Sequence, residues 1–192
     1  MDDKLTWKPH IKSLCTKLAR FIGIIGRLNR ILTKKTLLQL YNSFIYCHLS
    51  YCNIVWGSTY PSTLKRLEIL QKKAVRRIYK TDYLAHTAPL FKDAKILKLK
   101  DINLQQMSQF MYRYVNKELP DVFNNFFRSI NTRHNTRSKN NFYPEPYKSN
   151  LKRFSVKIKG PITWNNLDNG IKCSPSINSF KYRIKDKLLS SY

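Results

Sequence analysis

The sequence predicts a mainly α protein: a helical bundle followed by a less regular C-terminal part that holds a short strand or arm and a final helix. Three observations carry this. Apolar residues recur at i, i+3, i+4 and i+7 over long stretches, the spacing of one buried helix face. Helix-start residues stand directly before those stretches. Hydrophobic residues make up 42% of the 192 positions and aromatics 13%, enough for a real core.

The first helix opens at Pro9, which suits a first turn, and carries Ile11, Leu14, Leu18, Phe21, Ile22, Ile25, Leu28 and Leu32 as one stripe. Gly23 and Gly26 lie inside it. Each costs about 1 kcal/mol against Ala in a helix interior, so close packing is the expected offset. Thr33 caps a second helix, KKTLLQLYNSFIYCHLS, apolar on most sides and expected to be the central one. YCNIVWGSTYPS reads as a short apolar segment and a turn, with Ser62 or Thr63 capping a third helix. Asp101 or Asn103 caps a fourth, which Pro120 stops.

Residues 129–150 change character, being rich in Asn, Ser and Pro and poor in aliphatics; they read as a loop or extended arm. KRFSVKIKG alternates like a short strand, PITWNNL reads as one helical turn, and Ser176 caps the last helix. The expected divisions are 1–83, a helical bundle; 84–128, further helices packed on it; and 129–192, a basic arm, a short extended segment and the C-terminal helix.

Charge is the outlier. Thirty-six Lys and Arg stand against eleven Asp and Glu, a net +25. Such a balance weakens a compact state by self-repulsion and favours polyanionic partners. The stretch LQKKAVRRIYK at 70–80 concentrates it. At about 100° per residue, Leu64, Leu67, Leu70, Ala74, Val75 and Ile78 fill one arc of about 140°. Lys65, Arg66, Lys72, Lys73, Arg76, Arg77 and Lys80 fill a separate arc of similar width. A solvated helix face normally mixes Glu among its Lys, and here Glu68 lies off the arc, while only Ile69 breaks the division. The basic arc is therefore the candidate phosphate-binding face. Arg133 and Arg137 in the arm are further candidates, with Tyr143 and Tyr147 as stacking surfaces for bases.

Other chemistry finds little support. Two-metal phosphoryl transfer needs converging carboxylates, and the only acid pair is Asp2–Asp3, so no catalytic residue is predicted. Cys47, His48 and Cys52 lie in an apolar segment, and the cysteines read as buried small residues rather than metal ligands. His134 has no carboxylate partners, and His10 and His86 sit near helix starts as structural residues. Trp7, Trp56 and Trp164 read as packing residues. Neither metal nor cofactor is expected in the chain. No apolar run approaches the about 20 residues of a membrane span, and MDDKLTW lacks the form of a signal peptide. Scattered Cys15, Cys47, Cys52 and Cys173 fit reduced thiols in the cytoplasm or nucleus, so the expectation is an intracellular protein, not secreted and without a membrane partner.

Several phrases then resemble one family. MDDKLTWKPHIKSLCTKLAR resembles the segment after the polymerase palm in reverse transcriptases of non-LTR (long interspersed) retrotransposons. LLQLYNSFIYCHLSYCNIVWGS, LQKKAVRRIY, MYRYVNKELPDVF, TRHNTR, WNNLDNGIK and FKYRIKDKLL resemble later phrases of that family, in its order and over nearly the whole chain. Asp168 departs, standing where the family often has Pro. The resemblance implies the thumb and post-thumb region of an RNA-directed DNA polymerase. The bundle would then be thumb-like, its basic arc facing RNA, DNA or an RNA–DNA hybrid, with the palm of a full-length relative as a further partner. The family's Ala-Asp-Asp strand, which would hold Mg2+, is absent, as are its zinc knuckle and endonuclease domain. The expectation is a truncated nucleic-acid-binding fragment that does not polymerise. The alternatives are a non-functional relic of the element and a small basic nuclease.

Overall fold

A computed structural model describes residues 5–130 and 141–192. Asp2, Asp3, Arg133, His134 and Arg137 lie outside the described residues. The chain divides into two compact units, Met1–Asn103 with Lys187–Tyr192, and Leu104–Asp186. The described secondary structure is helical apart from one isolated antiparallel bridge between Ser129 and Phe142, as the mainly α expectation requires.

In the first unit, α1 (Lys8–Leu28) starts with Pro9 in its first turn and buries Ile11, Leu14, Leu18, Ile22 and Ile25 of the expected stripe; Phe21 and Leu28 are half-buried, and Leu32 falls beyond the helix. α2 (Lys34–Tyr41) is capped by Thr33, whose hydroxyl accepts the Thr36 N–H. It continues through a π-helical segment, Asn42–Tyr46, into α3 (Cys47–Ser50). Leu37, Tyr41, Ile45 and Leu49 are buried at steps of four. Four residues overshoot a 3.6-residue turn by about 40°, and the wider π turn takes up that drift. This run is narrower in its burial than its composition led us to expect, since Leu40 is only half-buried and Phe44 is exposed.

After α4 (Asn53–Trp56) comes α5 (Pro61–Tyr79), whose N-cap is Tyr60. This corrects the expected cap at Ser62 or Thr63: the fixed φ of Pro61 suits the first helical position and starts the helix earlier. α6 (Ala88–Asp93) follows, and α7 (Leu99–Val115) begins before Asp101, which therefore sits in its first turn rather than at the cap. α1 packs along α5, with α2 against both. Leu18, Leu37, Leu67, Ile78, Phe91 and Ile102 lie in this core.

One polar side chain, Gln71, is buried on the inner face of α5. Its amide nitrogen donates to the Tyr41 hydroxyl and to the Leu97 carbonyl, both at 2.9 Å, and its oxygen accepts the Leu99 N–H at 2.9 Å. Tyr192 lies close by in the same unit. Its hydroxyl donates to Asp101 and accepts the Lys98 N–H at 2.8 Å. Burial raises the phenol pKa of both Tyr41 and Tyr192 above the usual range, and for Tyr192 the bond to Asp101 adds to it. Among the described residues no buried side-chain nitrogen or oxygen lacks a partner.

The second unit holds the rest of α7, a 3-10 turn at Asp121–Phe123, α8 (Asn150–Phe154), α9 (Val156–Asn165), α10 (Asn169–Lys172) and α11 (Ile177–Ser190) up to Asp186. Edge-on rings of Phe110, Tyr114, Phe123, Phe126 and Phe127 form one part of its interior. Gly160 lets Met111 Sδ and Phe127 approach to 2.7 and 3.1 Å of where a Cβ would stand. KRFSVKIKG is not a strand, which corrects that expectation. Ser149 caps α8 by accepting the Lys152 N–H, Ser155 breaks the helix with extended backbone, and α9 then runs on with Pro161 inside it. PITWNNL therefore contributes the body of a ten-residue helix rather than a lone turn. Ser176 accepts the Ser179 N–H at the start of α11, as expected.

Removing the Gln71 amide strands a buried carbonyl and N–H, each expensive without a partner. Gln71→Ala should lower stability by at least about 2 kcal/mol, read as a fall in urea midpoint at unchanged slope; an unchanged midpoint would contradict the network. The raised phenol pKa values make a second expectation. A group with a raised folded-state pKa contributes fully below its unfolded value, about 10 for Tyr, and that contribution is lost as pH rises. Urea midpoints should hold to about pH 9 and then fall above about pH 10, less steeply for Tyr192→Phe.

Candidate nucleic-acid interface

The division of α5 into two arcs holds in three dimensions. Leu64, Leu67, Ala74, Val75 and Ile78 are buried, while Lys65, Arg66, Lys72, Lys73, Arg77 and Lys80 are exposed and Arg76 is half-buried. None of the seven forms an ion pair among the described residues. From Lys65 to Lys80 the arc runs about 22 Å at 1.5 Å per residue. That is the axial length of about six phosphates along one strand of a duplex.

The seven are not equivalent. Lys65 and Arg66 lie on the N-terminal half of the helix, and the charge of Arg66 reaches Cys15 on α1. Lys72 lines a cavity of about 280 Å3 with His86, Lys98 and Lys100. Desolvation lowers the Lys98 pKa, assisted by the like charges of Lys100 and Lys72 against the opposing pull of Asp101. Lys73, Arg76, Arg77 and Lys80 line a separate cleft of about 480 Å3, joined there by Arg30 from the turn after α1 and by Tyr83. Arg30, Lys98 and Lys100 were not singled out in the sequence. The missed signal for Arg30 is the acid-free run from Lys4 to Arg66, whose bases have no local partners.

Local geometry explains the cleft. The Arg76 Nε donates to the Ala85 carbonyl at 2.9 Å, and its guanidinium lies 5.8 Å from the centre of the Tyr83 ring. Arg77 leans on α1: its Nη1 comes within 2.8 Å of where a Gly26 Cβ would be, and its carbonyl accepts the Asn29 side-chain N–H at 3.2 Å. The expected offset for glycine in α1 is thus an arginine, and at Gly26 only, since nothing lies within 4 Å of the Gly23 position. Lys80 adopts a left-handed φ of 54° as it ends the helix. Nearby, Lys34 Nζ lies 4.0 Å from the centre of the Tyr79 ring and pairs with Asp93.

The remaining candidates resolve plainly. Cys47 and Cys52 are exposed, not buried, which corrects that reading: Cys47 Sγ bonds the Ser43 carbonyl, and Cys52 occupies a left-handed turn with φ 49°. No group of His, Cys, Asp or Glu among the described residues is arranged to hold a metal ion. Trp56 and Trp164 are buried, and His10 packs its ring against Trp7 and Trp56. Burial, then Lys17, lowers the His10 pKa. Tyr143 and Tyr147 are exposed, with the Arg128 guanidinium 5.5 Å from the Tyr143 ring centre. No helix among the described residues is long and apolar enough to cross a membrane.

Over 113 residues, 57% of its length, the chain is 33% identical to the RNA-directed DNA polymerase from mobile element jockey of Drosophila melanogaster. The similarity supports a reverse-transcriptase-like origin. The chain spans only 12% of that relative's length. No family profile matches, and no solved structure does.

Because Arg76 is tied to the loop and Lys65 and Lys72 are not, their substitutions should separate. Arg76→Ala should lower the stability read from urea midpoints by about 1 kcal/mol, while Lys65→Ala and Lys72→Ala stay within about 0.5 kcal/mol. Equal effects would mean that the Arg76 hydrogen bond does not hold the 80–87 loop.

Proposed function

We propose that the chain is the thumb and post-thumb portion of a non-LTR retrotransposon reverse transcriptase, and that it grips the phosphate backbone of RNA, DNA or their hybrid through α5. The observation that carries this is the outward basic arc, seven cations without an ion pair among the described residues, on a chain with a polymerase relative. Affinity would come mainly from counterion release and carry little sequence preference. Polymerisation, with its Mg2+ and carboxylates, would belong to a palm outside this chain, and a full-length relative could supply one.

The test is binding to an RNA–DNA hybrid across a salt series, for the wild type and for Lys65→Gln/Arg66→Gln/Lys72→Gln. These three are exposed and form no ion pair among the described residues, so the fold should survive, as circular dichroism would check. The wild type should lose affinity steeply with salt. The triple variant should flatten the log–log slope by about 0.9 for each phosphate it no longer neutralises. Equal slopes would remove the α5 arc from the interface. Nucleotide incorporation by the isolated chain with Mg2+ on a primed template would overturn the reading of a non-polymerising fragment.

A further inference from the structure

The C-terminal half of the basic arc differs from the N-terminal half in shape, not only in charge. Lys65 and Arg66 project from a convex helix. Lys73, Arg77 and Lys80 instead form one wall of a cleft of about 480 Å3, with Arg30 contributing from the turn after α1. Asp82 is the one acid in the lining, and its carboxylate already accepts the Tyr83 N–H. Tyr83 itself is 68% exposed.

We infer that this cleft is a single-strand site: it takes a backbone phosphate of an unpaired RNA or DNA segment, with the adjacent base stacked on Tyr83. The inference rests on the nucleic-acid reading above and adds to it the form of the ligand. Along its length a duplex keeps its base faces stacked inside and offers a protein ring only backbone and base edges, whereas an unpaired base has a free π-face for an exposed tyrosine. Cations converging from two elements onto a concave site suit one phosphate and its sugar better than the outside of a rod. The guanidinium of Arg76 supports the ring from its tether on the Ala85 carbonyl. Gly26 leaves the room in which Arg77 lies back against α1, so both walls of the cleft are shaped by specific residues.

Fluorescence anisotropy with a labelled oligothymidylate of about 12 nucleotides and with a blunt RNA–DNA hybrid tests this. Tyr83→Ala should weaken oligothymidylate binding by about tenfold, the worth of one base stack, and leave hybrid binding within about twofold. Tyr83→Phe should keep both. Arg30→Gln/Lys73→Gln should flatten the single-strand salt slope by about 0.7 for each phosphate left without its cation. If Tyr83→Ala changes neither probe, or weakens both equally, the single-strand site is wrong while the α5 grip stands, provided the hybrid still binds with a steep slope. If neither probe binds the folded wild type, both readings fall. Polyglutamate competing as well as oligothymidylate at equal ionic strength would replace the nucleic acid with an acidic protein as occupant.

Discussion

A single amide organises the first unit. Gln71 sits in the one stripe of α5 that must be dry, and from there it joins α5 to α2 through Tyr41 and to the start of α7 through Leu97 and Leu99. Apolar contacts alone are tolerant of rotation and sliding. Three hydrogen bonds at fixed angles in a low-dielectric interior are not, because each misplaced partner forfeits its compensation for desolvation. The rotation of α5 about its axis is thereby set. With that rotation set, the opposite arc of the helix is turned outward as a block, and the seven cations go with it.

Such a block is unfavourable by itself. Lys72–Arg76, Lys73–Arg77 and Arg76–Lys80 are like-charge pairs four residues apart, each costing about 0.2–0.5 kcal/mol. Together they cost about 1 kcal/mol, against a core that buries Leu67, Ala74, Val75 and Ile78 on the same helix. The core wins, but little on the protein relieves the repulsion. The ion pairs among the described residues lie elsewhere, at Lys34–Asp93 and at Glu145. A polyanion that neutralises the arc would recover that energy on top of the counterions it releases, so the cost of the free state adds to the affinity of the bound one.

Much of this was legible in the residue order. The α1 stripe, the Thr33 and Ser176 caps and the two arcs of α5 follow from a 3.6-residue period that burial enforces. Errors arose where a local pattern had two solutions. KRFSVKIKG alternates like a strand, yet the run has no partner strand to pair with among the described residues, and capping by Ser149 commits it to helix. Cys47 and Cys52 lie in an apolar stretch, but burial follows position on an element rather than neighbourhood in the chain: Cys47 is on the outer face of its helix, and Cys52 stands in a turn between two helices. The cleft was not legible at all, because Arg30 and Lys73 are far apart in the chain and meet only when α1 lies along α5.

Treating the arc as one uniform charge stripe therefore hides its working parts. Charge alone would make Arg76 and Arg77 the best residues to reverse, since they are central. Geometry makes them the worst, because Arg76 holds the 80–87 loop and Arg77 packs over Gly26. Reversing either would disturb the walls of the cleft as well as its potential, and a loss of binding would not say which mattered. Lys65, Arg66 and Lys72 report on the arc outside this cleft, and Arg30, Lys73 and Tyr83 report on the cleft itself. The same helix thus offers two separable surfaces, and their distinction depends on α1, which packs along it, supplying a glycine at one wall and, from the turn that follows it, an arginine at the other.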